Sequence, residues 1–159
     1  MKNIQLTQGK FAIVDDDMFE ELNQFKWYAE KRKDTFYARR NERNRLHVKK
    51  FYMHRQIMNV TDPKIQVDHI FGDGLDNRRE KLRLCTMVEN LRNQRARVGE
   101  TSIYKGVFWD KSRNRWGCQI VNNGVKIHIG RFINETYAAE QYNLKASELF
   151  GEFARLNTF

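Results

Sequence analysis

The sequence predicts an α+β protein built from small antiparallel sheets and a few helices. Short apolar runs with an alternating pattern recur along the chain and are bounded by turn residues such as Asn122-Asn123-Gly124. Helical spacing is confined to short segments and to one longer stretch at residues 135–150. Only one Pro and nine Gly occur among 159 residues, which argues against long disordered linkers.

The first elements form an amino-terminal extension with a small antiparallel sheet. Residues 2–14 are expected to form two short strands around a turn at Gly9, and residues 15–23 a short helix with an acidic start. The segment WYAEKRKDTFYARR resembles a β-hairpin with Asp34-Thr35 near its tip. Residues 51–58 then have the spacing of a helix, which would bury Phe51 and Ile57.

A strand–loop–strand–helix unit follows Asp62-Pro63. Its parts are expected at residues 64–69, 70–79, 81–85 and 86–95. Thr86 and Glu89 have the spacing of a capping box, which fixes the start of the helix. Asn90 therefore lies in the first turns of the helix, close to the preceding hairpin.

The carboxy-terminal part is predicted to be a three-stranded antiparallel sheet packed on one helix. The strands are expected at residues 103–109, 115–121 and 125–132. The helix, residues 135–150, has Asn134 as its amino-terminal cap and Gly151 at its end. Residues 96–102 are polar and basic and are the expected linker, so the domains are residues 1–95 and 103–159.

Charge and composition limit the partners that the chain is expected to have. The net charge is +9 and the pI is about 9.7, which favours a polyanion such as nucleic acid. Basic residues concentrate at residues 31–50 and 92–131, as expected for contact along an extended polyanion. Cys85 and Cys118 form no Cys-x-x-Cys motif, so a cysteine-rich zinc site is excluded. The absence of an apolar leader or span predicts a cytoplasmic protein that has no membrane contact.

Four side chains around the loop at residues 70–79 carry the chemistry of phosphodiester hydrolysis. Asp68 and Asn90 offer oxygen ligands, which suit Mg²⁺ or Mn²⁺ better than zinc. His69 has an ordinary pKa near neutral and can take a proton from water. Asn77 can bond backbone groups across the loop and hold His69 in place.

The segments DHIFGDGLDNR and EN resemble the HNH nucleases, in the phage and intron homing endonuclease branch. The resemblance implies a ββα-metal core with His69 as general base, Asp68 and Asn90 as metal ligands and Asn77 as a structural residue. The upstream MHRQIM is similar to a segment of the same branch, which makes His54 a further candidate catalytic residue. Lys81-Leu82-Arg83 departs from the usual Asn-Leu-Arg. Asn in place of His in the helix favours magnesium or manganese, and cleavage of one strand.

The carboxy-terminal strands alternate between an apolar face and a basic face. Trp116, Cys118 and Ile120 share the first face, as do Val125, Ile127 and Ile129. From Tyr104 to about Asn157 the segments YKGV, RWGCQI and IGRF resemble the APETALA/ERF-type DNA-binding domain, whose sheet reads the major groove. The resemblance implies six candidate DNA contacts: Lys105, Arg113, Arg115, Gln119, Lys126 and His128. Phe108 and His128 differ from the usual plant residues, so the sequence preference does not carry over.

Together these observations predict a metal-dependent endonuclease of double-stranded DNA. A monomer in a bacterial host cell, with a homing function, is the form that the resemblance implies. Three alternatives stay open: a loosely specific nuclease, a DNA-binding regulator with an inactive HNH fold, and an RNA-binding protein.

Overall fold

A computed structural model describes residues 1–32, 35–94 and 101–159 of the chain. These residues divide into two compact units, Met1–Asn90 and Leu91–Phe159. Residue 34 of the expected hairpin tip and residues 96–100 of the expected linker lie outside the described residues. Thr101 and Ser102, which were also expected in the linker, belong to the second unit. There the Ser102 hydroxyl donates to Glu135, and Thr101 Oγ1 accepts from the Trp109 N–H. In the described part of the chain, no helix is long and apolar enough to span a membrane.

The first unit contains three small antiparallel sheets and three short helices. Its strands are β1 (Lys2–Gln5), β2 (Phe11–Val14), β3 (Tyr28–Arg32), β4 (Thr35–Arg43), β5 (Val48–Tyr52), β6 (Gln66–His69) and β7 (Leu82–Cys85). Its helices are α1 (Asp16–Asn23), α2 (Met53–Ile57) and α3 (Met87–Arg92), which crosses the division. The pairs β1–β2 and β6–β7 form two-stranded sheets, and β3–β4–β5 form a third sheet.

The expected helix at residues 51–58 is shorter than predicted. Phe51 and Tyr52 belong to β5, and α2 begins at Met53. Both residues pair with β4, Phe51 with Arg40 and Tyr52 with Arg39. Helical spacing alone could not show that a neighbouring strand supplies these hydrogen bonds. The third expected helix ends at Arg92 rather than near residue 95.

The amino-terminal extension completes the core of the strand–loop–strand–helix unit. Buried residues of the extension form one apolar cluster with Val67 of β6 and Leu82 of β7. The extension contributes Ile4, Leu6, Ala12, Val14, Leu22, Trp27, Ala29 and Ala38. Trp27 satisfies its indole N–H within this cluster by donating to the Leu22 carbonyl at 2.8 Å. The extension is therefore part of one hydrophobic core rather than an appendage.

The second unit is a three-stranded antiparallel sheet covered by one helix. Its elements are β8 (Val107–Asp110), β9 (Arg115–Asn122), β10 (Val125–Phe132) and α4 (Glu135–Phe150), with β9 central. Residues 103–106, expected in the first strand, precede it. Asn134 caps α4 by accepting from the Tyr137 N–H at 2.9 Å, as predicted. Asn123 and Gly124 both have positive φ, 49° and 81°, as a two-residue hairpin turn requires.

A β-bulge in β10 changes which residues face the helix. The pairing passes from His128 with Gln119 to Gly130 with Cys118, so Ile129 is the extra residue. Beyond the bulge, Arg131 pairs with Gly117, opposite the face that Cys118 and Ile120 bury. Regular alternation would have placed Arg131 on the buried face. The bulge thus adds a cation to the uncovered face of the sheet.

Candidate functional site

His69 and Asn77 lie together in the interior of the first unit. His69 ends β6, and Asn77 closes the loop that leads to β7. His69 Nε2 lies 3.3 Å from Asn77 Oδ1. Both residues are buried, and Asn77 is 0% exposed. The structure therefore brings together the two side chains that the sequence motif had separated by eight residues.

The bonds of Asn77 define which nitrogen of His69 carries its proton. Asn77 Nδ2 donates to the Leu75 carbonyl at 3.0 Å, which identifies Oδ1 as the atom that faces His69. An amide oxygen accepts only, so His69 Nε2 must donate. In the neutral ring, Nδ1 is then the nitrogen that carries the lone pair and can accept a proton.

Burial lowers the pKa of His69 below its usual value near 6.5. The bond to Asn77 and the charges of Asp68, Asp73 and Asp76 raise the pKa in part, but burial outweighs them. His69 is consequently neutral at pH 7. A neutral imidazole is the form that a general base requires.

The amino-terminal extension holds the loop that carries Asn77. The Asn77 N–H donates to the Ile13 carbonyl at 2.8 Å, and the Ile13 N–H donates to the Leu75 carbonyl at 2.9 Å. The Gly74 N–H donates to Thr35 Oγ1 at 3.0 Å. A Cβ at Gly74 would lie 2.4 Å from the Phe36 carbonyl oxygen, so only glycine allows this close approach. Strands β2 and β4 thus position the loop from two sides.

Asp68 pairs with Arg83, its cross-strand neighbour in β7. Arg83 donates to Asp68 Oδ2 from Nε at 3.0 Å and from Nη2 at 2.8 Å, and both side chains are largely buried. Motif reasoning treated the Lys81-Leu82-Arg83 segment only as a departure from the family pattern. The antiparallel register could have identified Arg83, because directly opposed residues of a hairpin share a face.

Asn90 is the fourth residue of α3, the helix that follows the strand pair. Thr86 and Glu89 form the predicted capping box, in which the Thr86 N–H donates to Glu89 Oε2 at 2.7 Å and the Glu89 N–H donates to Thr86 Oγ1 at 3.3 Å. The Asn90 N–H donates to the Thr86 carbonyl at 3.0 Å, and its side chain is half-buried. The capping box therefore fixes where Asn90 lies along the helix.

The oxygen donors Asp68 and Asn90 fit a hard divalent cation in their chemistry. A carboxylate and an amide oxygen suit Mg²⁺ or Mn²⁺. Burial raises the pKa of the nearby Cys85 thiol to about 11, so it stays protonated and is not a thiolate ligand. Among residues 1–32, 35–94 and 101–159, no group of three His, Cys, Asp or Glu side chains could hold a metal. A cation held by Asp68 and Asn90 would therefore take most of its ligands from water and substrate.

His54, Tyr37 and Tyr52 form an aromatic cluster around His69. The ring centroids of His54 and His69 are 5.0 Å apart, and Tyr37 lies 5.6 Å from each. Tyr52 stacks on His54 at 5.5 Å. Burial lowers the pKa of His54 to about 3, and His54 Nδ1 has no hydrogen-bond partner among the described residues. His54 is thus a buried, neutral ring against the proposed base.

The uncovered face of the second unit presents most of the predicted DNA contacts. Gln119 and His128 are directly paired on this face, and Lys126 and Arg115 lie on the same side of their strands. Lys126, His128 and Arg115 are exposed, and Gln119 is half-buried. Phe108 packs across Gly117, where a Cβ would lie 2.4 Å from the ring. The face is therefore a flat basic surface with one aromatic ring on it.

Arg131 and Arg113 form a small charged cluster at one end of this face. Arg131 Nε donates to Asp110 Oδ2 at 3.0 Å, and Arg131 Nη1 lies 3.2 Å from His128 Nε2. Arg113 Nη1 lies 3.4 Å from the same Asp110 oxygen. The hydroxyl of Ser112 and the guanidinium of Arg131 hold the pKa of Asp110 well below its usual range. Sequence reasoning missed Arg131, because the alternation of apolar and polar residues along a strand does not reveal a β-bulge.

Lys105 differs from the other candidate contacts because its ammonium lies within the second unit. Its Nζ donates to the carbonyls of Arg92 and Gln94, both at 2.6 Å. Burial lowers the pKa of Lys105 to about 8. The side chain satisfies carbonyls at the end of α3, so we leave Lys105 out of the proposed DNA surface.

Two viral proteins are similar to the chain. A protein of Acanthamoeba polyphaga mimivirus, named as an uncharacterized HNH endonuclease, is 31% identical over 150 residues, which are 94% of this chain and 76% of that protein. Protein 3.8 of Escherichia phage T7 is 33% identical over 89 residues, which are 56% of this chain and 73% of that protein. No protein-family profile matches. By its similarity to the mimivirus protein, the chain belongs to the HNH endonuclease family.

Proposed function

We propose that the chain is a metal-dependent endonuclease that cuts double-stranded DNA at a site positioned by its carboxy-terminal sheet. The contact between His69 Nε2 and Asn77 Oδ1 carries this proposal. That contact fixes the tautomer in which Nδ1 carries the lone pair, as a general base requires. The similarity to the mimivirus protein supports the same activity class.

In this proposal His69 is the general base. Its Nδ1 takes a proton from a water molecule, and the water oxygen forms a bond to phosphorus. The bond from phosphorus to the 3′ oxygen breaks, and that oxygen takes a proton from solvent, which leaves a 5′-phosphate and a 3′-hydroxyl. Asn77 keeps the ring oriented, burial keeps it neutral, and the ring of His54 packs against it.

Asp68 and Asn90 are the proposed ligands of Mg²⁺ or Mn²⁺. The bound cation supplies positive charge for the phosphate and its leaving oxygen. Arg83 holds the Asp68 carboxylate through two N–H groups on one oxygen, which fixes the orientation of the carboxylate. This ion pair with its strand partner supports the proposed role of Asp68 as a ligand.

The basic face of the second unit is proposed to bind DNA beside the cut. Arg115, Gln119, Lys126 and His128 lie on one exposed surface, which a major groove can accommodate. We propose Arg113 as a phosphate contact in the turn before β9. One proposed active site per chain predicts one strand cut per binding event. A monomeric homing enzyme of a phage or intron, acting in the host cytoplasm, is the biological role that we propose.

Supercoiled plasmid incubated with the purified protein tests the proposal. We expect nicking that requires Mg²⁺ or Mn²⁺ and that falls at least a hundredfold in His69→Ala, with DNA affinity kept. Lys26→Ala, an exposed residue away from the site, is the matched control. DNA binding without cleavage under any divalent cation would instead identify a regulator. Cuts at unrelated sequences would identify a loosely specific nuclease.

A further inference from the structure

Strands β4 and β5 extend beyond the sheet that supports them. Strand β3 pairs with β4 only as far as Arg39, whereas β4 continues to Arg43 and pairs with β5 over its remaining length. Residues 40–51 therefore form a two-stranded ribbon, which we call the basic ribbon. All residues from 41 to 50 are exposed. Neither face of the projecting part contributes to the hydrophobic core.

The basic ribbon carries four cations that have no acidic partner among the described residues. They are Arg43, Arg45, Lys49 and Lys50. Within the described part of the chain, no carboxylate lies within ion-pair distance of any of them. The ribbon's own carboxylate, Glu42, lies 3.7 Å from Arg40. Unneutralised cations on a narrow projection are complementary to a polyanion.

The tip of the basic ribbon is a turn closed by Asn44, with an apolar side chain at its apex. Asn44 Oδ1 accepts from the N–H groups of Leu46 and His47, at 3.1 and 2.7 Å. The Asn44 N–H donates to the His47 carbonyl at 3.1 Å. These bonds present Leu46, which is 85% exposed. An exposed leucine between cations can make apolar contact with the thymine methyl group in the major groove.

The base of the basic ribbon leads directly to the candidate active site. A groove of about 310 Å³ at the base is lined in part by Lys49, Lys50 and Arg55. Strand β5 ends at Tyr52, and α2 begins at the next residue and carries His54. The His54 ring contacts the ring of His69. Basic side chains therefore continue from the ribbon to the helix beside the proposed base.

We infer that the basic ribbon lies in the major groove of double-stranded DNA, as a second contact surface on the nuclease unit. This inference rests on the proposed function, because DNA is the polyanion involved. The major groove is about 12 Å wide and admits a two-stranded β-ribbon. Arg43, Arg45, Lys49 and Lys50 contact phosphates on its two sides, and Leu46 contacts base edges. The ribbon thus orients the duplex toward His69.

Binding to a mixed-sequence duplex, measured in EDTA so that no cutting occurs, tests the inference. The variant K49A/K50A is compared with K26A/K64A, which removes two exposed lysines outside the ribbon. We expect the ribbon variant to bind more weakly and to lose about one unit of salt slope per lysine. The control variant keeps its affinity and its slope. An unchanged slope in the ribbon variant overturns the inference, even if nicking of plasmid is intact.

A cross-linking experiment gives a second readout that does not depend on affinity. Cys85 and Cys118 are buried, so Leu46→Cys supplies one accessible thiol for a photoactivated aryl azide. Leu144→Cys is the control, because Leu144 is 66% exposed on α4, the helix that covers the other face of the second unit. We expect cross-links to DNA from residue 46 and not from residue 144. Equal yields from both positions overturn the inference. Neither readout requires cleavage, so an absence of nicking in the parent protein would refute the proposed endonuclease activity without changing them. The failures of the two proposals are therefore distinguishable.

Discussion

At the scale of single residues, Asn77 determines both the position of the proposed base and which of its ring nitrogens carries the proton. Its Nδ2 binds a carbonyl within the loop, and its N–H binds the carbonyl of Ile13 in β2. The remaining amide oxygen can only accept, so it selects the tautomer of His69. The sequence predicted that the Asn77 amide bonds backbone groups in the loop and holds His69 in place, but it did not predict the direct contact between the two side chains. The part played by Ile13 depends on a strand 64 residues earlier, which no local pattern shows.

Replacement of Asn77 should shift the pH dependence of nicking in a direction that depends on the new side chain. The base acts when it is neutral, so activity is lost as pH falls through the pKa of His69. The bond to Asn77 raises that pKa, so Asn77→Ala should lower the pKa further and move the acidic limb to lower pH. Asn77→Asp adds a negative charge and should move the limb to higher pH.

Rates of nicking between pH 4.5 and 8 under single-turnover conditions measure both shifts. Asn77→Ala should also slow the plateau rate and destabilise the fold by about 1–3 kcal/mol, since it leaves buried partners unpaired. Urea unfolding provides that value. If the acidic limb of the pH–rate profile were identical in the parent protein and both variants, the observed pKa would not belong to His69.

His54 should act through its ring rather than through its proton. With a pKa of about 3, it stays neutral wherever nicking can be measured. His54→Phe keeps the ring and removes a buried nitrogen without a described partner, so we expect nicking within a few-fold of the parent. His54→Ala should leave a cavity beside His69, destabilise the protein by about 2 kcal/mol or more and slow nicking. Plasmid nicking and urea unfolding measure both effects, and a His54→Phe variant as inactive as His69→Ala would contradict this role.

At the scale of elements, local chemistry correctly predicted two helix caps and one hairpin turn. The Thr86–Glu89 capping box, the Asn134 cap and the turn at Asn123 and Gly124 form as expected. Each depends on atoms within a few residues of one another, so the sequence contains all the information that is needed. The capping box matters most for the site, since it determines where Asn90 lies.

Elements that depend on distant partners could not be predicted in this way. Phe51 and Tyr52 lie in a segment with the spacing of a helix, but they end strand β5 and pair with β4. The bulge at Ile129 follows from how β10 fits β9 and brings Arg131 to the open face. The sequence predicted Lys105 as a DNA contact, but its ammonium donates to the carbonyls of Arg92 and Gln94. In each case tertiary contacts outweighed the local pattern.

Two glycines with similar backbone conformation should respond very differently to alanine. Gly106 and Gly124 have φ values of 77° and 81°. A Cβ at Gly106 would lie 2.3 Å from the Tyr142 ring and 2.5 Å from the Gln119 carbonyl oxygen, whereas at Gly124 it would meet nothing within 4 Å. We expect Gly124→Ala to destabilise by about 1 kcal/mol from backbone strain alone, and Gly106→Ala by about 3 kcal/mol or more. Urea unfolding measures both, and equal losses would mean that Tyr142 moves aside freely.

At the scale of the whole molecule, the two units divide their chemistry. The first unit contains His69, Asn77, Asp68 and Asn90, and the amino-terminal extension builds its core and holds its loop. The second unit has a polar, basic face and a buried face closed by α4. Binding and hydrolysis should therefore be separable by substitution.

Substitutions on the basic face of the second unit should weaken DNA binding without slowing the chemical step. Arg115→Ala and Lys126→Ala should each reduce affinity by about 1–3 kcal/mol if the side chain contacts a base edge. The matched control is Lys145→Ala, on the helix that covers the opposite face and paired with Glu148 at 2.7 Å. Single-turnover nicking at saturating protein should stay within a few-fold of the parent in all three. A slower chemical step in Lys126→Ala at saturating protein would show that this residue takes part in cleavage. An equal loss of DNA affinity in Lys145→Ala would show only the effect of net charge.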